Sequence, residues 1–394
     1  MSLPLSDLVV FEMGGLAPAP FAGMILSDFG ADVIRIDRPN SVSTDILARN
    51  KRSISVNMKD PLAIPVIREL LKKGDILLDP FRPGVLEKMG LGPDILLKEN
   101  PRLIIARLSG YGQSGAASKV AGHDINYISI AGALEMIGRK GDKPMFPLNI
   151  LADFAGGGLM CVMGILMALM ERIKSGKGQV VDANLTSGTS YLTTFPYLMQ
   201  KYGLNFNEQR GTNMLDSGAP FYEVYKTKDD RYMSVGAIEP QFYSQFLKGL
   251  ELNPKDLPEQ HDRDAWPKMK EIFANVFATK TQAVWTEKFD GTDACVAPVL
   301  SFREEIPNVS MVTEPEKQWP RKAAPPQPAP ILSRTPAKQV NYDDPRKQDN
   351  NDDPFLQPGT HTMEVLSQFG IPQSKIRELL NKGTFIDKVG ISKL

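Results

Sequence analysis

The chain of 394 residues is 42% hydrophobic and 23% charged, and its 46 Lys and Arg residues are balanced by 46 Asp and Glu residues. Because this length exceeds what one compact core usually holds, it predicts two domains. The charge balance excludes the usual electrostatic case for a protein that binds nucleic acid or a membrane surface, whereas anionic small molecules stay open as ligands.

The first 190 residues alternate between apolar runs of strand length and of helix length. Strands are predicted at 8–12, 32–39, 53–57, 75–79, 102–110 and 179–185, and helices at 21–30 and 61–74. This alternation predicts a mostly parallel sheet in an α/β domain. The loop "MGGLAPAP" after the first strand has prolines where a dinucleotide site requires G-x-G-x-x-G, so a nicotinamide cofactor is excluded.

The run "FAGGGLMCVMGILMALM" (154–170) holds 17 residues without a charge, at the lower limit of a membrane span. Three successive glycines and the strand that follows favour instead a helix buried in protein, with close backbone packing at the glycines. The spacing of Met160, Met163, Met167 and Met170 favours a buried helix face. A yielding surface for an acyl chain is the alternative interpretation.

Later residues predict a second, smaller domain. Two β-rich runs around "TKDD" within 219–238 indicate a hairpin, helical patterns follow, and an apolar strand is predicted at 294–300. The predicted organisation is a large domain over 1–190, a linker over 191–220, a small α+β domain over 221–311, and over 312–394 a proline-rich return segment with helices that pack on the large domain.

Cysteine usage and the chain ends indicate the compartment. Cys161 and Cys295 are too few for a disulfide framework or a cysteine-based zinc site, and no metal cluster is visible. The N-terminal residues lack the pattern of a signal peptide. Ser392, Lys393 and Leu394 form the tripeptide that the peroxisomal import receptor binds, which predicts a peroxisomal protein.

Four residues are candidates for chemistry or anion binding. His123, in "AGHDINYISI", has the side chain best suited to moving protons near neutral pH, although for such a residue taken alone a structural histidine at a helix start is the more typical interpretation. Asp153 begins the apolar helix, where an acid stabilises a helix by roughly 0.5–2 kcal/mol or carries a proton beside free N–H donors. Glu239 has the pattern of a turn residue. Arg38 lies at the end of a predicted strand, where open α/β sheets bind ligands.

Several long segments, among them "GLAPAPFAGMILSDFGADVIRIDRP", "RPGVLEKMGLGP", "AGHDINYIS" and "LADFAGGGLMCVMGILMAL", resemble the family III CoA-transferases in the same order. The likeness runs from about residue 5 to 310 and is greatest to members that racemise 2-methylacyl-CoA thioesters. It implies a Rossmann-like large domain, a smaller α+β domain, and an interlocked homodimer with its active site between subunits. It implies no metal and no cofactor, since CoA is part of the substrate.

The resemblance also implies which residues form the site. His123 and Asp153 would be the catalytic pair, and Glu239 would orient His123. The implied CoA contacts are Arg38, Ser55, Val56, Asn57, Met58, Lys88, Gly122, Asp124, Ile125, Asn126 and Tyr127.

The implied reaction interconverts the (2R)- and (2S)-epimers of a 2-methylacyl-CoA thioester, for the β-oxidation of branched-chain fatty acids and bile-acid-type side chains. His123 would remove the α-proton from one face, and protonated Asp153 would deliver one to the other. Backbone N–H groups at the start of the helix would hold the enolate oxygen. A CoA-transferase with Asp153 as nucleophile stays open, as do a noncatalytic acyl-CoA carrier and a mitochondrial pool.

Overall fold

The structure is a computed structural model that describes residues 2–39, 41, 43, 45–302, 323–340, 342 and 355–388. The chain divides into two compact units. The first comprises Met1–Ala133, Pro147–Thr193 and Gln327–Leu394, and the second comprises Leu134–Phe146 and Thr194–Pro326. The predicted linker 191–220 therefore contributes most of its residues to the second unit, because part of it forms a helix.

The described strands are β1 (Val9–Met13), β2 (Asp32–Asp37), β3 (Arg52–Val56), β4 (Ile76–Asp79), β5 (Ile104–Ser109), β6 (Val180–Asn184), β7 (Tyr222–Lys226), β8 (Tyr232–Gly236), β9 (Val296–Pro298) and β10 (Phe385–Ile386). The α-helices are α1 (Pro18–Asp28), α2 (Ala63–Leu71), α3 (Val85–Lys88), α4 (Pro93–Glu99), α5 (Asp124–Ile130), α6 (Met160–Ser175), α7 (Leu185–Leu192), α8 (Thr194–Lys201), α9 (Pro240–Gly249), α10 (Trp266–Phe277), α11 (Gln282–Phe289), α12 (Thr362–Gln368) and α13 (Gln373–Asn381). A π-helix (Ile150–Leu159) runs directly into α6, and short 3₁₀ turns lie at Leu134–Met136, Pro254–Asp256 and Arg263–Ala265.

The first unit contains a seven-stranded sheet in the order β10-β3-β2-β1-β4-β5-β6. Strands β1 to β6 pair in parallel, and β10 is antiparallel to its neighbour β3. Every residue of β4 and β5 is buried, as expected for strands covered on both faces. The predicted α/β fold with a parallel sheet is confirmed, and its order 3-2-1-4-5-6 is that of doubly wound dinucleotide-binding folds.

The C-terminal part of the first unit covers the edge of strand β3. Phe385 pairs with Val56 and Ile386 with Ser55. The N–H of Asn57 donates to the carbonyl of Thr384 at 2.8 Å. The edge strand is thus closed by a segment of only two residues in β10.

The second unit has its own sheet and core. Strands β7, β8 and β9 form an antiparallel sheet, so the predicted hairpin is present, with Asp230 in its turn at φ 60°. Aromatic side chains fill the core of this unit, including Phe221, Phe246, Phe273 and Trp285.

Candidate active site

The backbone around His123 is fixed by contacts within its own segment. His123 precedes α5 in extended conformation, with φ −131° and ψ 178°. Its N–H donates to Oδ1 of Asn126 at 3.0 Å, and the N–H of Asn126 donates to its carbonyl at 2.9 Å. The hydroxyl of Tyr127 donates to the carbonyl of Gly122 at 2.5 Å. The exposed imidazole therefore stands on a main chain that cannot easily reorient.

Two glycines make room for the ring of Tyr127. A Cβ at Gly110 would lie 2.3 Å from this ring, and one at Gly122 would lie 2.7 Å from it. Tyr111 packs edge-on against the same ring at 5.0 Å between centroids. The loop that carries His123 is consequently wedged in place by an aromatic side chain.

Asp153 lies in the first turn of the π-helix, where the sequence predicts only a longer α-helix starting at 154. Helices of this wide type are rare and occur often at functional sites. The glycines of this run pack closely, as predicted. A Cβ at Gly156 would meet Oγ1 of Thr189 at 2.6 Å, one at Gly158 would meet the Phe21 ring at 2.8 Å, and one at Gly188 would meet the carbonyl oxygen of Gly156 at 1.8 Å.

A buried carboxylate joins the two parts of the site. Oδ2 of Asp124 accepts the N–H of Ala152 at 2.7 Å and that of Asp153 at 2.8 Å. The mechanism implied by the family resemblance assigns N–H groups at this helix start to the enolate oxygen. Those of Ala152 and Asp153 are already occupied, because an acid 28 positions earlier reaches across the fold.

The carboxyl group of Asp153 is half-buried, and Nδ2 of Asn149 donates to its Oδ2 at 3.2 Å. Burial raises the pKa of Asp153 above its usual value, and the negative charge of Asp124 raises it further. The hydrogen bond from Asn149 lowers the same pKa by more than the charge of Asp124 raises it, and the nearby His123 lowers it by the smallest amount, but the effect of burial is the largest. Asp153 is thus an acid that holds its proton more readily than an exposed aspartate and lies within electrostatic reach of His123.

The predicted CoA contacts fall into three groups. Arg38 and Lys88 are exposed, at the end of β2 and of α3, so both can reach an anion. Ser55 and Val56 are buried and paired with β10, while Asn57 and Met58 are partly exposed. In the Gly122–Tyr127 loop, Asp124 and Tyr127 are buried and Ile125 and Asn126 are exposed. Because the side chains of four of these residues are buried, they could contact CoA directly only if the structure around them opened. These residues are Ser55, Val56, Asp124 and Tyr127.

Glu239 is exposed and lies in the second unit, directly before α9.

The two cysteine thiols are poorly suited to chemistry. Burial raises the pKa of the Cys295 thiol, and the negative charges of the nearby Glu239 and Asp293 raise it further. In the first unit, burial raises the pKa of the Cys161 thiol to about 12, which makes this thiol unreactive. Among the described residues, no group of three or more metal-ligating side chains is found.

The helical run that follows Asp153 is less buried than its sequence indicates. Ile150–Ser175 is long and apolar enough to be a candidate membrane span, the one found among the described residues, and 39% of its most apolar part is buried. This is weak evidence for a span, since core helices have the same composition. The prediction that the methionines form a buried helix face is wrong within a single chain, because Met163, Met167 and Met170 are exposed. The α6 apolar face, defined as Leu159, Met163, Leu166, Met167, Met170 and Ile173, is 38% to 85% exposed.

A family model described as CoA-transferase family III matches residues 5–346. The chain therefore belongs to the family III CoA-transferases, and the resemblance seen in the sequence is confirmed. A solved structure of a CaiB/BaiF family protein from Brucella suis shares the fold, with a TM-score of 0.65 at 20% identity, over 76% of this chain and 85% of that one.

Two curated relatives are similar over almost their whole length. The Mus musculus protein named alpha-methylacyl-CoA racemase is 51% identical over 381 residues, which cover 95% of this chain and 96% of the mouse protein. The Homo sapiens protein of the same name is 50% identical over 384 residues, 96% of each chain. Both are named for an isomerase activity.

Proposed function

We propose that this protein is a racemase that interconverts (2R)- and (2S)-2-methylacyl-CoA thioesters. One observation carries the proposal: relatives at about 50% identity over 95% of the chain bear the name of this racemase. The site supports it, because one unit holds an exposed histidine and a carboxyl group that keeps its proton readily, close enough for their charges to interact.

The chemistry requires a base on one face of the α-carbon and an acid on the other. In one direction, a nitrogen of His123 takes the α-proton, electrons move onto the thioester oxygen, and protonated Asp153 delivers a proton to the opposite face. In the reverse direction the two residues exchange roles. The raised pKa of Asp153 favours this double use, since the group must be protonated in one direction and ionised in the other. The family resemblance also implies a supporting role for Glu239 in this catalysis.

The CoA part of the substrate binds at the carboxyl edge of the sheet. Arg38 and Lys88 supply positive charge for its phosphates, and Asn57, Met58, Ile125 and Asn126 offer accessible side chains. Gly122 supplies the main chain next to His123. No metal or additional cofactor takes part, because proton transfer to and from carbon needs only the paired acid and base.

One experiment separates this proposal from the transferase alternative, which the family description favours. The purified protein is incubated in deuterated water with a single epimer of a 2-methylacyl-CoA, and both α-deuterium incorporation and the epimer ratio are followed by NMR. Exchange that reaches a near-equal mixture without an acyl acceptor is the expected result. No exchange, with CoA transfer once a free carboxylic acid is added and a hydroxylamine-sensitive adduct on Asp153, would establish the transferase. CoA binding alone would establish a carrier.

A second copy of this chain covers the α6 apolar face. Exposed apolar surfaces of this extent commonly mark protein interfaces, and a bilayer is the less suitable occupant because glycine contacts bind the start of the same helix to protein. Sedimentation at micromolar concentration is expected to give a dimer. A monomer that partitions into lipid vesicles would contradict this assignment.

The protein acts in peroxisomes, in the oxidation of branched-chain fatty acids and bile-acid-type side chains, with a mitochondrial pool as a further location. The signal Ser392, Lys393 and Leu394 lies outside the described residues, and its sequence supports the assignment. Deleting these three residues should leave the protein in the cytosol. Continued import of the truncated chain into peroxisomes would refute this role of the tripeptide.

A further inference from the structure

We infer that Asp124 is a positioning residue for the acid–base pair, because its carboxylate anchors the main chain of Asp153 next to His123. This inference rests on the proposed function for its catalytic meaning. It assigns Asp124 a role different from the CoA contact that the family resemblance implies.

The geometry places Asp124 between the two reacting groups. It directly follows His123 in the chain and is the first residue of α5. Its Oδ2 accepts the N–H of Ala152 at 2.7 Å and the N–H of Asp153 at 2.8 Å. Hydrogen bonds from main-chain donors to an ionised acceptor are about twice as strong as neutral ones. One carboxylate therefore sets the distance between the segment of the base and the segment of the acid.

The burial of Asp124 argues against direct contact with substrate. Its residue is 3% exposed, and its second oxygen, Oδ1, is buried without a hydrogen-bond partner. A buried acceptor without a partner has a free-energy cost. The fold accepts this cost at a position where the same carboxylate orders the site, and where its charge acts on the neighbouring acid.

Electrostatics gives this arrangement a measurable signature. The charged and titratable groups that act on Asp153 are Asp124, His123 and Tyr127, and Asn149 adds a hydrogen bond. The charge of Asp124 raises the pKa of Asp153. Removing that charge alone must lower the pKa of Asp153, and a residue with a merely structural role would not produce this shift.

Two substitutions separate anchoring from charge. Asp124→Ala removes both. Asp124→Asn keeps an acceptor oxygen for the two N–H groups but removes the charge. Asp182→Asn is the matched control, because Asp182 is an exposed carboxylate of the same unit that accepts one N–H, from Gln113 at 3.0 Å.

The rate of α-proton exchange, KM and the pH profile are measured for all three variants, together with hydrogen–deuterium exchange of the peptide that spans the π-helix start. Asp124→Ala should lose about 10²-fold in kcat with little change in KM, because misplacing a reacting group by about 1 Å costs this much. Its peptide should exchange faster. Asp124→Asn should retain more activity, and the limb of its pH profile set by Asp153 should move to lower pH. Asp182→Asn should match the parent.

Parent-like kcat and peptide protection in Asp124→Ala would overturn the inference. A pH profile that does not move in Asp124→Asn would also overturn it, reducing Asp124 to a cap that only stabilises the helix. An inactive parent enzyme would refute the proposed function instead, and the peptide exchange would still report whether Asp124 anchors the π-helix.

Discussion

Buried carboxylates at two places in the first unit are stabilised in different ways. Next to β1, Glu12 is fully buried and its Oε2 accepts a hydrogen bond from Nζ of Lys51 at 2.8 Å. Arg35 lies beside them and pairs with Asp37 at 2.8 Å and Asp45 at 3.0 Å. We call these residues the strand-end ion cluster.

At the site, by contrast, the Asp124 carboxylate is balanced by two main-chain N–H groups instead of a cation. In the strand-end ion cluster two cations, Lys51 and Arg35, oppose three carboxylates, so most of the charge is balanced inside the cluster. Main-chain donors satisfy Oδ2 of Asp124 but leave the whole negative charge, which then acts on Asp153. The difference teaches that one unit uses buried acids both for stability and for tuning chemistry, according to the partner that each acid receives.

The largest expected effect on activity comes from removing either member of the proposed acid–base pair. His123→Ala and Asp153→Ala should each lower α-proton exchange by about 10² to 10⁴-fold, the usual contribution of a general acid or base. Thermal unfolding should change little. His261→Ala, at an exposed histidine of the second unit, is the control. Activity within tenfold of the parent in either catalytic variant would remove that residue from the mechanism.

Breaking the strand-end ion cluster should affect stability instead of chemistry. Lys51→Met leaves Glu12 buried without its closest cation and should cost about 3–5 kcal/mol in the free energy of unfolding. Burial raises the pKa of Glu12, so the loss should shrink at acidic pH, where protonated Glu12 no longer needs a cation. Unfolding is measured in denaturant at several pH values. The double variant Glu12→Gln/Lys51→Met should recover most of the loss, and a double variant as unstable as Lys51→Met would contradict this account.

The smallest expected effect tests how closely the backbone packs beside the site. Gly188→Ala places a Cβ against the carbonyl oxygen of Gly156, which should cost about 1–3 kcal/mol and disturb the π-helix that carries Asp153. Gly236→Ala is the control, because its Cβ would meet only ordinary contacts at 3.9 Å. Differential scanning calorimetry compares the two. Equal melting temperatures would show that the close approach at Gly188 relaxes without cost.

Local patterns predict the sheet well and the site only in part. Alternating strands and helices are encoded in apolar runs, so β1 to β6 lie within one or two residues of their predicted positions. Helix α1 begins at Pro18, three residues before its predicted start, because a proline is tolerated in the first turn. His123 and Asp153 stand out by residue type and by resemblance. The carboxylate bridge from Asp124 does not, since nothing in a local pattern reveals a partner 28 positions away.

Two further differences have the same physical origin. In the run Ile150–Leu159 every residue except Asp153 is small or apolar, so no periodic pattern distinguishes a π turn from an α turn. The α6 apolar face has the spacing of a core helix, yet the described chain leaves it exposed. The apolar periodicity of a helix predicts that one face is buried, but it does not show whether that face packs against the same chain or against another molecule.

The closure of the sheet by β10 has a consequence for folding during synthesis. Thr384 bonds to Asp60 across 324 residues, and β10 completes the edge next to β3. While a ribosome is still producing the second unit, the first unit has an open strand edge, which is a template for aggregation. Contacts this distant in sequence also slow folding. We therefore expect the nascent chain to keep an aggregation-prone strand edge until β10 has emerged.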